Sequence, residues 1–141
     1  ITVTDTGVGF APALAERTTF TGFSPVVHEH LAGTSILVRP SLTEGMPLAV
    51  LEAMAAEVCP VVSDIPANRL VVDHDRTGLL FPVGDADALA AVLATLLDDP
   101  DRRRALARAG YEVAQGFSWD ATAAGTAAVL ADAAGWAPGD P

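Results

Sequence analysis

Residues 36–54, from Ile36 to Met54, read ILVRPSLTEGMPLAVLEAM, and this stretch decides the fold. Ile36-Leu37-Val38 is apolar at consecutive positions, as a strand is when both of its faces are covered. Pro40 closes that run, and Gly45 and Pro47 punctuate the loop beyond it. From Pro47 onward apolar residues recur at helical spacing, and proline is favoured at a helix start because its missing N–H would be unpaired there anyway. Strand, short loop and helix in this order make the opening of a β-α-β unit.

The same rhythm extends in both directions. Strand-like runs lie at 1–4, 18–22, 36–39, 60–63 and 78–81, with helical segments expected at 11–17, 26–33, 47–57 and 66–73. Strands alternating with helices predict an α/β fold with a parallel sheet and helices on both faces. After Phe81 the pattern turns helical. Asp85 is placed to cap an amphipathic helix with Leu89, Val92, Leu93, Leu96 and Leu97 on one side, and Asp99-Pro100 ends it. Two further helices, at 101–115 and 119–134, form a C-terminal helical extension. Residues 1–134 are expected to be one domain and 135–141, rich in Pro and Gly, a flexible tail.

Composition narrows the function. The 141 residues carry 18 acids and 8 bases, for a net charge of −10, and all the bases are Arg. An acidic surface repels phosphate backbones, so nucleic acid is not an expected partner. Cys59 is the single cysteine, which excludes an internal disulfide and fits a reducing compartment, most simply the cytosol. No uncharged run reaches membrane-spanning length, so no transmembrane segment is expected. The chain opens at Ile1 in a strand-like pattern, as a fragment of something longer would.

Within the opening stretch two acids stand in apolar surroundings. Glu44 precedes the Gly45-Met46-Pro47 turn, and Glu52 lies eight positions later inside the helix. A helix advancing about 100° per residue puts Leu48, Leu51, Met54 and Ala55 on one apolar side, with Glu52 about 40° from Leu48 on the shoulder and Glu57 opposite. In open α/β sheets ligands lie at the carboxyl ends of strands, where helix N-termini favour anions such as phosphate. Gly45 lets backbone approach such a ligand. Carboxylates beside a phosphate site accept hydrogen bonds from sugar hydroxyls. A ligand with phosphates flanked by sugars would satisfy both acids. The plainer alternative is that Ser41-Leu42-Thr43-Glu44 forms a capping box and Glu52 reaches solvent past Ala55 and Ala56.

EGMPLAVLEAMA, followed by VVSDIPANR and TGLLFPVGDADALA, resembles the C-terminal, donor-binding domain of retaining GT-B glycosyltransferases of the GT4 family, or glycosyl transferases group 1. Glu44 and Glu52 match its E-x7-E motif. VTDTG resembles that domain's second strand, TTFTGF its third and ILVRPSLTEG its fourth, and FSWD with its trailing helix closes the match. The resemblance implies a Rossmann-like domain that binds a nucleotide-diphosphate-sugar, in a hexosyltransferase without metal or other cofactor. By resemblance, Glu44 is the catalytic-site acid that meets the donor sugar, the amides of Gly45, Met46, Pro47 and Leu48 meet the diphosphate, Glu52 holds the ribose, and Gly22 and Phe23 border the base.

The chain also departs from that pattern. The family's first strand, with an Arg and a Lys that clamp the diphosphate, has no match here, and neither does the N-terminal acceptor domain. The resemblance therefore implies a partial domain, open between 1–4 and 36–39, that is inactive by itself and needs the acceptor domain or another chain. Glu57 and Asp75 stand where the family commonly has Gly. The alternative function is a degenerate, non-catalytic domain that serves as a protein-interaction partner. A receiver-like domain would want clustered acids at the first strand, and Asp5 alone does not supply them.

Other residues take ordinary roles. His28-Glu29-His30 are consecutive on a helix and do not converge on a metal. Arg102-Arg103-Arg104 reads as a solvated helix face. Asp64 reads as an N-cap, Arg69 as one half of a surface ion pair, and Cys59 as a buried small hydrophobe.

Overall fold

The structure, a computed structural model, describes residues 2–3 and 17–135. The helix expected at 11–17 and the tail expected at 135–141 lie, Arg17 and Gly135 apart, outside the described residues. The elements in chain order are β1 (Thr2–Val3), β2 (Thr19–Phe20), α1 (Val27–Ala32), β3 (Ile36–Arg39), α2 (Leu48–Ala55) and β4 (Cys59–Ser63). They continue with α3 (Pro66–Arg69), β5 (Leu79–Phe81), α4 (Ala86–Asp98), α5 (Pro100–Ala114) and α6 (Trp119–Ala134).

Every strand pairing is parallel, as the alternation of strands and helices requires. Among the described residues the strands form two sheets, β1–β2 and β3–β4–β5, and β1 and β3 are not paired. In the larger sheet Ile36 pairs with Cys59 and Arg39 with Val62, while Val61 pairs with Leu79 and Ser63 with Phe81. Pro60 has no N–H to give a ladder, and its place in the central strand is possible because β5 joins only from Val61 onward. Gly78 lies against it. A Cβ there would stand 2.5 Å from Pro60 Cγ and 2.7 Å from its carbonyl oxygen.

The two faces of this sheet bury different sets. Leu37, Val62 and Leu80 pack with Val50, Leu51 and Met54 of α2 and with Val71, Val72 and Ala114. Ile36, Cys59, Val61, Leu79 and Phe81 pack with α4 and α5 through Leu96, Leu106 and Ala107. Alternate residues of one strand thus feed opposite cores, which explains its continuous apolar run. Leu97 points away from this packing and is exposed. Asp85, Asp99 and Ser118 cap the last three helices, accepting from the N–H groups of Ala88, Arg102 and Ala121.

Two further expectations change. The apolar side of α2 is made by Val50, Leu51, Ala53 and Met54, whereas Leu48 and Ala55 are exposed. Asp64 does not cap α3: Ile65 holds the N-cap position, and the Asp64 carboxylate pairs instead with the guanidinium of Arg69. No helix among the described residues is long and apolar enough to cross a membrane.

Candidate functional site

The loop between β3 and α2 starts from the one cation of its strand. Arg39 donates from Nε to Glu44 Oε1 at 2.7 Å, its second nitrogen lies 2.6 Å from the same oxygen, and Ser41 Oγ donates to it at 2.6 Å. Glu44 is only 16% exposed, so these partners answer the question its sequence position raised. The Ser41 hydroxyl, followed by the Arg39 guanidinium, holds its carboxyl below the usual carboxylate range. Ser41 therefore serves the glutamate side chain and caps no helix.

Seven residues separate Glu44 from Glu52, and the start of α2 occupies them. Pro47 stands in the N-cap position, and its carbonyl accepts from Val50 N–H at 3.0 Å and Leu51 N–H at 3.2 Å. Of the expected amide contacts, Pro47 has no N–H to offer, and that of Leu48 is taken by the Met46 carbonyl at 2.9 Å. The N–H groups of Gly45, Met46 and Ala49 find no acceptor among the described residues. They are the donors available to an anion here.

Glu52 lies on the open side of α2 with Leu48, Ala55 and Ala56, at helical spacings of four, three and four. It lines a cavity of about 470 Å³ with Ala55 and Ala56 and, across the groove, Pro25, Val27, His28 and Leu31 of α1 and its lead-in loop. Its carboxylate has no protein partner among the described residues. Glu44 does not line this cavity. The two acids face separate surroundings: Glu44 is tied to Arg39 and Ser41, and Glu52 looks into a groove that neither Glu44 nor the open amides line.

Of the residues expected near a base, Gly22 adopts φ +60° and Phe23 is 94% exposed, and neither lines the cavity. Pro25, Val27 and His28 do. Sequence reading missed them because their approach to α2 is a long-range fact, and it missed Arg39, whose signal was to be the lone charge in an apolar strand. Among the described residues no three potential ligands gather as a metal site. The three neighbouring arginines of α5 are engaged: Arg102 with Asp75 at 2.6 Å, Arg103 with the Leu96 carbonyl at 2.9 Å, and Arg104 with Asp101.

A second cavity, about 740 Å³, lies beside β5 and is bordered by Asp64, Arg69, His74, Arg76, Leu80 and Val113. Its arginines are already matched, Arg69 by Asp64 and Arg76 by Asp73 at 2.6 Å. His74 Nδ1 accepts the Leu80 N–H at 2.9 Å on the strand's outer edge. Larger though it is, this hollow offers no unmatched cation to a diphosphate.

Comparison with known proteins agrees with the fold. Residues 12–113 match the family described as glycosyl transferases group 1. The D-inositol 3-phosphate glycosyltransferase of Kineococcus radiotolerans is 37% identical over 106 residues, covering 70% of this chain and 24% of that protein. Sucrose-phosphate synthase from Thermosynechococcus elongatus is 31% identical, with a TM-score of 0.77 over 86% of this chain and 32% of its own. HepE of Anabaena, solved in complex with UDP-glucose, has a TM-score of 0.80 at 22% identity over 85% of this chain and 34% of its own, a likeness of fold alone. The chain spans about a quarter of the length of the curated relatives it matches. The fold is that of the C-terminal half of GT-B enzymes, and the chain belongs to the glycosyl transferases group 1 family.

Proposed function

We propose that this chain is the donor-binding part of a retaining, GT4-type glycosyltransferase that moves a sugar from a nucleotide-diphosphate-sugar to an acceptor. The observation that carries the reading is the unpartnered Glu52 carboxylate in its groove, on the same helix whose first turn leaves the amides of Gly45, Met46 and Ala49 open. A ribose in that groove would give its hydroxyls to Glu52, the diphosphate would meet the amides, and the sugar would reach Glu44. The amides and the positive end of α2 would then stabilise charge on the departing diphosphate. No metal or other cofactor enters this scheme. The acceptor would be bound by an N-terminal domain or another chain, so the 141 residues alone are not expected to transfer sugar. The solved likenesses with UDP and UDP-glucose make uridine nucleotides the first to try. The cytosol is the proposed location, in keeping with the single thiol.

Calorimetry with UDP-, GDP- and ADP-sugars tests the reading. Replacing Glu52 with Ala is expected to weaken nucleotide binding by about 1–3 kcal/mol through loss of a charged hydrogen bond. Unchanged affinity would return Glu52 to the ordinary surface acids. A second reading, a non-catalytic partner domain, draws on the exposed Trp119, Val129 and Leu130 of α6. A reading frame that starts at residue 1 would favour it, and one that continues upstream into a second domain would favour the enzyme.

A further inference from the structure

We infer that Arg39 and Ser41 are positioning residues for Glu44: they grip its carboxylate by Oε1 alone and leave Oε2 for the hydroxyls of the donor sugar. The inference rests on the donor-site reading above. Arg39 brings two nitrogens, at 2.7 and 2.6 Å, and Ser41 a hydroxyl, at 2.6 Å, to the same oxygen. A carboxylate oxygen has two lone pairs, so Oε1 is saturated. Oε2 receives no hydrogen bond from any described residue. A guanidinium commonly meets a carboxylate fork to fork, one N–H to each oxygen, and that arrangement would have used up both. Here the fork closes on one oxygen and spares the other.

The arrangement does two further things. With Glu44 only 16% exposed and held by a strand-end arginine and a loop serine, the carboxylate is fixed before a ligand arrives, so little ordering remains to be done on binding. The same donors favour the ionised form. An ionised Oε2 accepts from a hydroxyl, whereas a protonated one would compete as a donor.

A purely structural role for Arg39 and Ser41 would disturb the loop and weaken every ligand alike. A positioning role touches only the part of the ligand that reaches Glu44. The test is therefore calorimetry on the 141-residue chain with matched pairs: UDP and UDP-glucose, GDP and GDP-mannose, ADP and ADP-glucose. In Arg39→Gln and Ser41→Ala the affinity ratio of sugar nucleotide to bare nucleotide is expected to fall by about tenfold, as loss of a hydrogen bond to a charged group implies, with the bare nucleotide little changed. Ser41→Thr, which keeps the hydroxyl, should restore the ratio. Carbon-13 titration of the Glu44 carboxyl should show its midpoint rising in both weakening variants and returning in Ser41→Thr.

Equal losses for bare and sugar nucleotides, or an unmoved Glu44 titration, overturn the inference while the donor site stands. So does an unsubstituted chain that binds bare and sugar nucleotides equally. Failure of every nucleotide to bind the unsubstituted chain overturns the donor-site reading itself, and the inference with it.

Discussion

Glu57 follows the end of α2 with φ +54°, in the left-handed region that an L side chain enters at a cost of about 1–2 kcal/mol. The backbone requires that conformation. Glu57 N–H donates to the Met54 carbonyl at 3.0 Å and Val58 N–H to the Ala53 carbonyl at 2.9 Å, the paired bonds of a Schellman helix end. Val58 then packs with Ala53 in the cluster around Leu31. Glycine is the residue that fits this position without strain, although it adds freedom to the unfolded chain. Glu57→Gly is therefore expected to stabilise the fold by about 0.5–1 kcal/mol, read as a higher midpoint in urea denaturation. A lower midpoint would mean that the glutamate side chain has a use the backbone does not reveal. Asp75, at φ +62°, is a different case. Its carboxylate pairs with Arg102 at 2.6 Å, so glycine there would relieve the backbone and remove the tie together.

At the scale of elements, the sequence was legible wherever a local rule sufficed. The parallel alternation, the proline-started α2 and the capping aspartate of α4 all follow from residues within a few positions of one another. The buried face of α2 did not. Its helix is apolar almost all round, so the periodicity that anchors a helical wheel carries little direction, and Leu48 falls on the expected core side yet lies exposed. The small and charged residues were the better guide, since Glu52, Ala55 and Ala56 mark the open groove. The partner of Glu44 was hidden for a related reason: Arg39 ends a strand whose composition announces burial, and nothing local says where its side chain turns. The corrected face makes a paired prediction. Met54 is fully buried between β4 and α5, and Met54→Ala is expected to cost about 2–5 kcal/mol. Leu48→Ala, at a position 52% exposed, should change stability by about 0.5 kcal/mol or less. Comparable losses in the two variants, measured by urea denaturation, would show that Leu48 is packed like Met54.

For the whole molecule, the charged side chains set the response to acid, and two effects oppose each other. The net charge of −10 repels itself, and protonating exposed acids relieves that repulsion, which favours the folded state as pH falls. Against this stand, among the described residues, three carboxylates that the fold holds below their ordinary range. Glu44 is held by Ser41 and Arg39, Asp64 by Arg69, and Asp75 by Arg102, each tying a loop or turn to a neighbouring element. The sign follows from linkage. A carboxyl with a depressed folded-state pKa binds protons more tightly when unfolded, so its contribution is fully present above the unfolded value, about 4, and is lost as pH falls through the folded value. Relief of repulsion acts as soon as net charge falls, whereas loss of the three ties begins only below the unfolded value. The urea midpoint is expected to hold or rise slightly from pH 7 to about 5 and to fall steadily below about 4. Arg102→Ala should flatten part of that fall, because the guanidinium that most lowers the folded-state pKa of Asp75 is then gone. A midpoint that continued to rise down to pH 3 would show that self-repulsion dominates and that the three ties contribute little to stability.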